Sequence, residues 1–107
     1  MKFDDSQSSA DYFRRIANLT DRLAKKQIAV YEHRFTYMAF GSWEMVAGRR
    51  KKMLRFTYDG KDSYMSYCDA SMKPQSHTDL QHRQFATHEG EDPLAFVAEI
   101  LEREFSV

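Results

Sequence analysis

Between Gly41 and Asp69 apolar residues fall at alternate positions: Trp43 and Met45, Leu54 and Phe56, Met65 and Tyr67. Ser42, Glu44, Arg55, Thr57, Tyr64 and Ser66 fill the places between and beside them. Successive side chains of a strand point to opposite faces, so this period of two predicts antiparallel strands with one apolar side. Two turn signals divide the stretch. Asp59-Gly60-Lys61-Asp62 offers a glycine for positive φ and aspartates that bond turn amides, and Gly48-Arg49-Arg50-Lys51 closes a second hairpin.

Loops at those positions set Tyr58 opposite Ser63, Phe56 opposite Met65 and Leu54 opposite Tyr67, with Thr57 facing Tyr64 and Arg55 facing Ser66 on the other side. The first hairpin sets Trp43 opposite Phe56, Met45 opposite Leu54 and Glu44 opposite Arg55. Both registers place Leu54 and Phe56 on one face, an agreement that a slip of one residue would destroy. A sheet with a single apolar side needs a cover.

Two amphipathic segments supply it. From an N-cap at Ser8 or Ser9 to about Lys26, the residues Tyr12, Phe13, Ile16, Ala17, Leu19, Leu23 and Ala24 follow the three-and-four spacing of a buried helical stripe. Asp92-Pro93 opens a second helix with a carboxylate cap and proline at the first position. Leu94, Val97, Ile100 and Leu101, flanked by Phe96 and Phe105, form its apolar stripe, and Glu99, Glu102 and Glu104 face water.

The remaining stretches are less regular. Residues 28 to 40 are rich in β-branched and aromatic side chains and read as an edge strand, with a bulge expected around Gly41. Residues 70 to 82 form a polar loop broken by Pro74, residues 1 to 7 a frayed start, and Arg83 to His88 a short additional strand. The expected architecture is α+β in two layers. An N-terminal helix, a meander of four strands with 83–88 as a fifth, and a C-terminal helix make one domain, both helices on the same side of the sheet.

Composition narrows the setting. No apolar run approaches the roughly 20 residues of a membrane helix, the start of the chain lacks the apolar core of a signal peptide, and a cytoplasmic protein without membrane contact is expected. Cys68 is the only cysteine, so no internal disulfide forms. The formal net charge of zero hides a separation: residues 48 to 61 hold six basic side chains against one acid, and residues 62 to 107 hold three against nine acids.

That separation marks the first candidate surface. Arg49, Arg50, Lys51 and Lys52, with Arg55 and Tyr64 nearby, have the cations to grip phosphates and a ring to stack on a base. Charged turns also keep sheet edges from pairing, and the acidic run Glu89-Gly90-Glu91-Asp92 ahead of the last helix would repel phosphate. A second candidate is a pocket between sheet and helices lined by Tyr31, Phe35, Trp43, Met45 and Tyr67, residue types that as readily fill a core.

Cys68, His77, His82 and His88, near Asp69 and Asp79, are metal-ligand types, but their spacing matches neither an i,i+4 histidine pair nor a cysteine knuckle. No metal or cofactor is expected. Cys68 with a histidine, or His33 beside Glu32, has the groups for nucleophilic or acid-base work, yet no nucleophile elbow, phosphate loop or dinucleotide fingerprint accompanies them. The expectation is a non-catalytic binding domain that forms homodimers through its open sheet face or edge strand. The alternatives are a nucleic-acid binder using the 49–52 turn, and a ligand-binding or enzymatic pocket.

Overall fold

The computed structural model describes residues 5–36, 41–70, 81–86 and 89–106. In chain order they form α1 (Asp5–Ala24), β1 (Ala29–Thr36), β2 (Ser42–Arg49), β3 (Lys52–Asp59), β4 (Tyr64–Asp69), β5 (Gln81–Gln84) and α2 (Pro93–Glu104). The sheet is an antiparallel meander of five strands in the order β1-β2-β3-β4-β5. A single core cluster joins Leu19 and Leu23 of α1, and Leu94, Val97, Ile100 and Leu101 of α2, to Trp43, Met45, Leu54, Phe56, Met65 and Tyr67 of the sheet. Both helices therefore cover the same face.

The two-sided pattern holds, but the pairing is offset. Trp43 stands opposite Tyr58, Met45 opposite Phe56 and Ala47 opposite Leu54. Tyr58 stands opposite Met65, Phe56 opposite Tyr67 and Arg55 opposite Cys68. Each register differs from the expected one by two positions in the sum of paired numbers, so the faces are unchanged while every partner is replaced.

The turns explain the offset. In the first hairpin Arg49 still pairs with Lys52, leaving only Arg50 and Lys51 in the loop, because Gly48 lies inside the strand at φ 150°. In the second, Asp59 pairs with Tyr64, and its Oδ1 accepts from the amide of Lys61 at 2.9 Å. The left-handed residue of that loop is Ser63, at φ 50°, rather than Gly60. Ser42 Oγ accepts from the Gly60 amide at 3.0 Å and ties this loop to β2.

The other boundaries move as well. Helix α1 begins at Asp5, so Ser8 and Ser9 lie within it and do not cap it. It ends at Ala24, where Gln27 turns left-handed at φ 61° and the Ile28 amide donates to the Leu23 carbonyl at 3.0 Å, a closure usually left to glycine. Phe13, expected in the stripe, is 51% exposed, and Ala17 and Ala24 are exposed too. In α2, Asp92 accepts from the Leu94 amide as expected of a cap.

The bulge lies in β1 between Val30 and Glu32, which leaves Tyr31 without a partner, and not at Gly41. Strand β5 runs over Gln81–Gln84, so Gln81 and His82 belong to the sheet and not to the loop. The rest of that loop (71–80), the start of the chain before Asp5 and residues 87–88 lie outside the described residues. No described helix is long and apolar enough to cross a membrane.

Candidate interaction face

Because the helices share one side, the other side of the sheet has no cover from any described element. Strand parity sends Glu32 and Arg34 to it from β1, Glu44 and Val46 from β2, Met53, Arg55 and Thr57 from β3, Tyr64, Ser66 and Cys68 from β4, and His82 from β5. At its centre Arg55 donates to Glu44 across 2.7 Å. Arg34 is the cross-strand partner of Glu44, and Glu32 is the partner of Val46. Acid and base thus alternate over three strands around one valine.

Val46 is only 5% exposed even though no helix covers it, since the long side chains around it fold over it. They leave a shallow pocket of about 330 Å³ bordered by Glu32, Arg34, Glu44, Val46 and Arg55. Toward the far edge the Tyr64 ring stacks on His82 at 5.4 Å between centroids. The face is polar, with an apolar floor at one spot and an aromatic pair at another.

The residues of the 49–52 turn have separate fates. Arg49 donates to the carbonyls of Lys26 at 2.9 Å, Gln27 at 3.4 Å and Phe105 at 3.0 Å, serving the turn that follows α1 and the C-cap of α2. Lys52 lies over the Phe105 ring and reaches Glu104 at 3.4 Å. Arg50 and Lys51 are exposed at the tip. Arg55 and Tyr64, expected to act with that turn, sit on the open face away from it.

The five aromatic and methionine residues read as a pocket are dispersed. Tyr31 stands exposed at the bulge, Phe35 stacks on Tyr12 at 3.8 Å, and Trp43, Met45 and Tyr67 are buried in the core. A cleft of about 420 Å³ does open between α1, β2 and the start of α2, with Tyr12, Trp43 and Tyr58 as walls and the Arg15–Asp92 pair at its rim. Of the five, Trp43 alone reaches it.

His33 points to the helix side, opposite Met45, where its Nε2 and the Tyr12 hydroxyl share a hydrogen bond of 2.7 Å. Burial pushes its pKa below the ordinary histidine value and pushes that of Tyr12 above the ordinary tyrosine value. Nδ1 of His33 is buried without a hydrogen-bond partner among the described residues. Cys68 is half-buried on the opposite face, so the two are not neighbours. Among the described residues no three His, Cys, Asp or Glu side chains gather as a metal site would require, and His77, His88 and Asp79 lie outside them.

No protein-family model, curated protein or solved structure matches this chain.

Proposed function

We propose that the protein is a non-catalytic interaction domain that self-associates through the uncovered face of its sheet. The observation that carries this reading is the alternation of Glu32, Arg34, Glu44 and Arg55 around Val46 on a face that neither helix covers. In a twofold dimer the same patch meets itself, so each acid needs a base displaced across the axis, and an alternating pattern provides one. A patch of one sign would repel its copy.

Two other routes to a dimer are weaker. The edges are poor templates: β1 is interrupted by the Tyr31 bulge, and β5 has only four residues, all exposed. Of the three acids of α2, Glu102 is engaged by Arg22 at 2.6 Å and Glu104 by Lys52, which leaves Glu99 alone to meet the basic turn of a second copy. The face is what remains.

Sedimentation velocity of the full chain tests the reading. The expected result is a concentration-dependent dimer that dissociates in Glu44→Arg and in Arg55→Glu, and re-forms in the double variant that exchanges the two charges. A chain that stays monomeric at about 1 mM, where even millimolar affinity would show, overturns it. So does a dimer indifferent to both single variants.

A further inference from the structure

We propose that the end of the molecule where both helices terminate binds the phosphate backbone of nucleic acid without reading its bases. Four exposed cations from separate parts of the sequence meet there. Lys25 and Lys26 follow α1, and Arg50 and Lys51 form the β2–β3 loop. The sheet brings them together, because Ala29 pairs with Gly48 and Arg49 reaches the carbonyls of Lys26 and Gln27. None of the four has a salt-bridge partner among the described residues.

Much of what would cancel their charge is already neutralised. The carbonyl ends of helices carry partial negative charge, and here Arg49 offsets that of α2 at its C-cap Phe105 while also donating to the Lys26 carbonyl just past α1. Two of the nearby acids are held by other cations, Glu102 by Arg22 and Glu104 by Lys52 and Arg103, which leaves Lys26 only the residual field of Glu102 and Lys25 that of Asp21 one turn back. The field of the remaining cations therefore reaches solvent.

The acidic run Glu89-Gly90-Glu91-Asp92, which in the sequence weighs against phosphate, precedes α2 and so lies at the opposite end of that helix. Twelve residues separate the ends. At 1.5 Å per residue that is about 18 Å, more than twice the screening length of roughly 8 Å at physiological ionic strength. Two of these acids are themselves engaged: Glu91 accepts from the Ala86 amide and Arg83, and Asp92 caps α2.

The surroundings favour a nucleic acid over a lipid surface. Among the described residues of this end no large aliphatic side chain and no phenylalanine is exposed: Leu23, Ile28, Leu54, Leu101 and Phe105 are all buried. No described residue there can anchor in an acyl layer, whereas exposed cations at the end of α1 and on the β2–β3 loop suit an extended row of phosphates.

Anisotropy of a labelled duplex of about 20 base pairs and arbitrary sequence, titrated with the full chain, tests this. Binding is expected at low salt, with log affinity falling against log salt at a slope of about −3 as three or four phosphates are neutralised. The variant Lys25→Gln/Lys26→Gln/Arg50→Gln/Lys51→Gln should lose about tenfold or more, and Lys26→Gln or Lys51→Gln alone about threefold. Lys61→Gln, in the other hairpin loop, should leave affinity unchanged. No binding at about 50 mM salt, or a smaller loss in the fourfold variant, overturns the proposal. Tighter capture by phosphatidylserine vesicles than by the duplex overturns it as well, as does competition by inorganic phosphate alone at the duplex's own concentration.

Discussion

The guanidinium of Arg49 donates to the carbonyl oxygen of Phe105 at 3.0 Å while lying 5.5 Å from the centre of the same residue's ring. With its bonds to Lys26 and Gln27, this side chain at the end of β2 ties the turn after α1 and the C-cap of α2 to the sheet. Arg49→Ala should cost about 1 to 2 kcal/mol, since the partly buried Phe105 carbonyl loses a charged donor and the ring its cation, while the exposed Lys26 and Gln27 carbonyls turn to water. Arg49→Lys should recover less than half, because an ammonium cannot span separated acceptors as the planar fork does. Urea denaturation of the full chain measures both.

Gly48 sits where a side chain has no room. A Cβ there would meet the Lys52 carbonyl oxygen at 2.5 Å, the Met53 Cα at 2.9 Å and the Phe105 ring at 2.9 Å, on a backbone at φ 150°. Gly48→Ala should destabilise by about 3 kcal/mol or more, through overpacking and backbone strain together. Gly90 has positive φ but nothing within 4 Å of the added carbon, so Gly90→Ala should cost only about 1 kcal/mol. Thermal melts of the two variants should separate by several degrees.

The Tyr12–His33 pair predicts two opposite pH slopes. His33 is buried with a lowered pKa, so below about 6.5 the unfolded chain takes up a proton that the folded one resists, and stability falls with acidification. An imidazolium would also place a hydrogen on Nδ1, which has no acceptor among the described residues. Tyr12 has a raised pKa, so the folded chain keeps its proton when the unfolded one has lost it, and stability falls as pH rises above about 10. Denaturation midpoints of wild type and His33→Gln across this range should show the acid slope reduced in the variant. Tyrosinate absorbance should show one ring that ionises only on alkaline unfolding.

Arg22 and Glu102 join α1 to α2 through two bonds, of 2.6 and 3.2 Å. Arg22, by donating to it, holds the Glu102 carboxyl below its ordinary pKa, so this contribution is present above about pH 4.5 and is lost as pH falls through the lower, folded value. Solvent screens a pair in which Arg22 is half exposed, and a double-mutant cycle with alanine at both positions should give a coupling of about 0.5 to 1 kcal/mol.

How far the sequence discloses this molecule is clearest at Trp43 and Phe56. Alternation places them on one face, and both are buried in one cluster. It does not place them opposite each other, since moving a pairing by two residues leaves every side chain on its own side, and only loop length decides between such registers. That length depends on Gly48 adopting an unusual conformation within a strand and on Ser63 taking a left-handed one that Gly60 was expected to supply. Neither has a sequence signature. Arg49 is a similar case: in the sequence it is one of four cations in a turn, and only packing shows that it serves the turn after α1 and the C-cap of α2 while Arg50 and Lys51 stay exposed.

Each strand of the meander pairs with its neighbours in sequence, so the sheet has no long crossover to close. Such an order allows assembly hairpin by hairpin, with little loop entropy lost at each step. The distant partners, α1 with α2, can then dock late. Truncations at Phe56 and Met65 should slow refolding in stopped-flow mixing, whereas Leu19 and Ile100 truncations should chiefly hasten unfolding; the reverse pattern would mean that the helices lead.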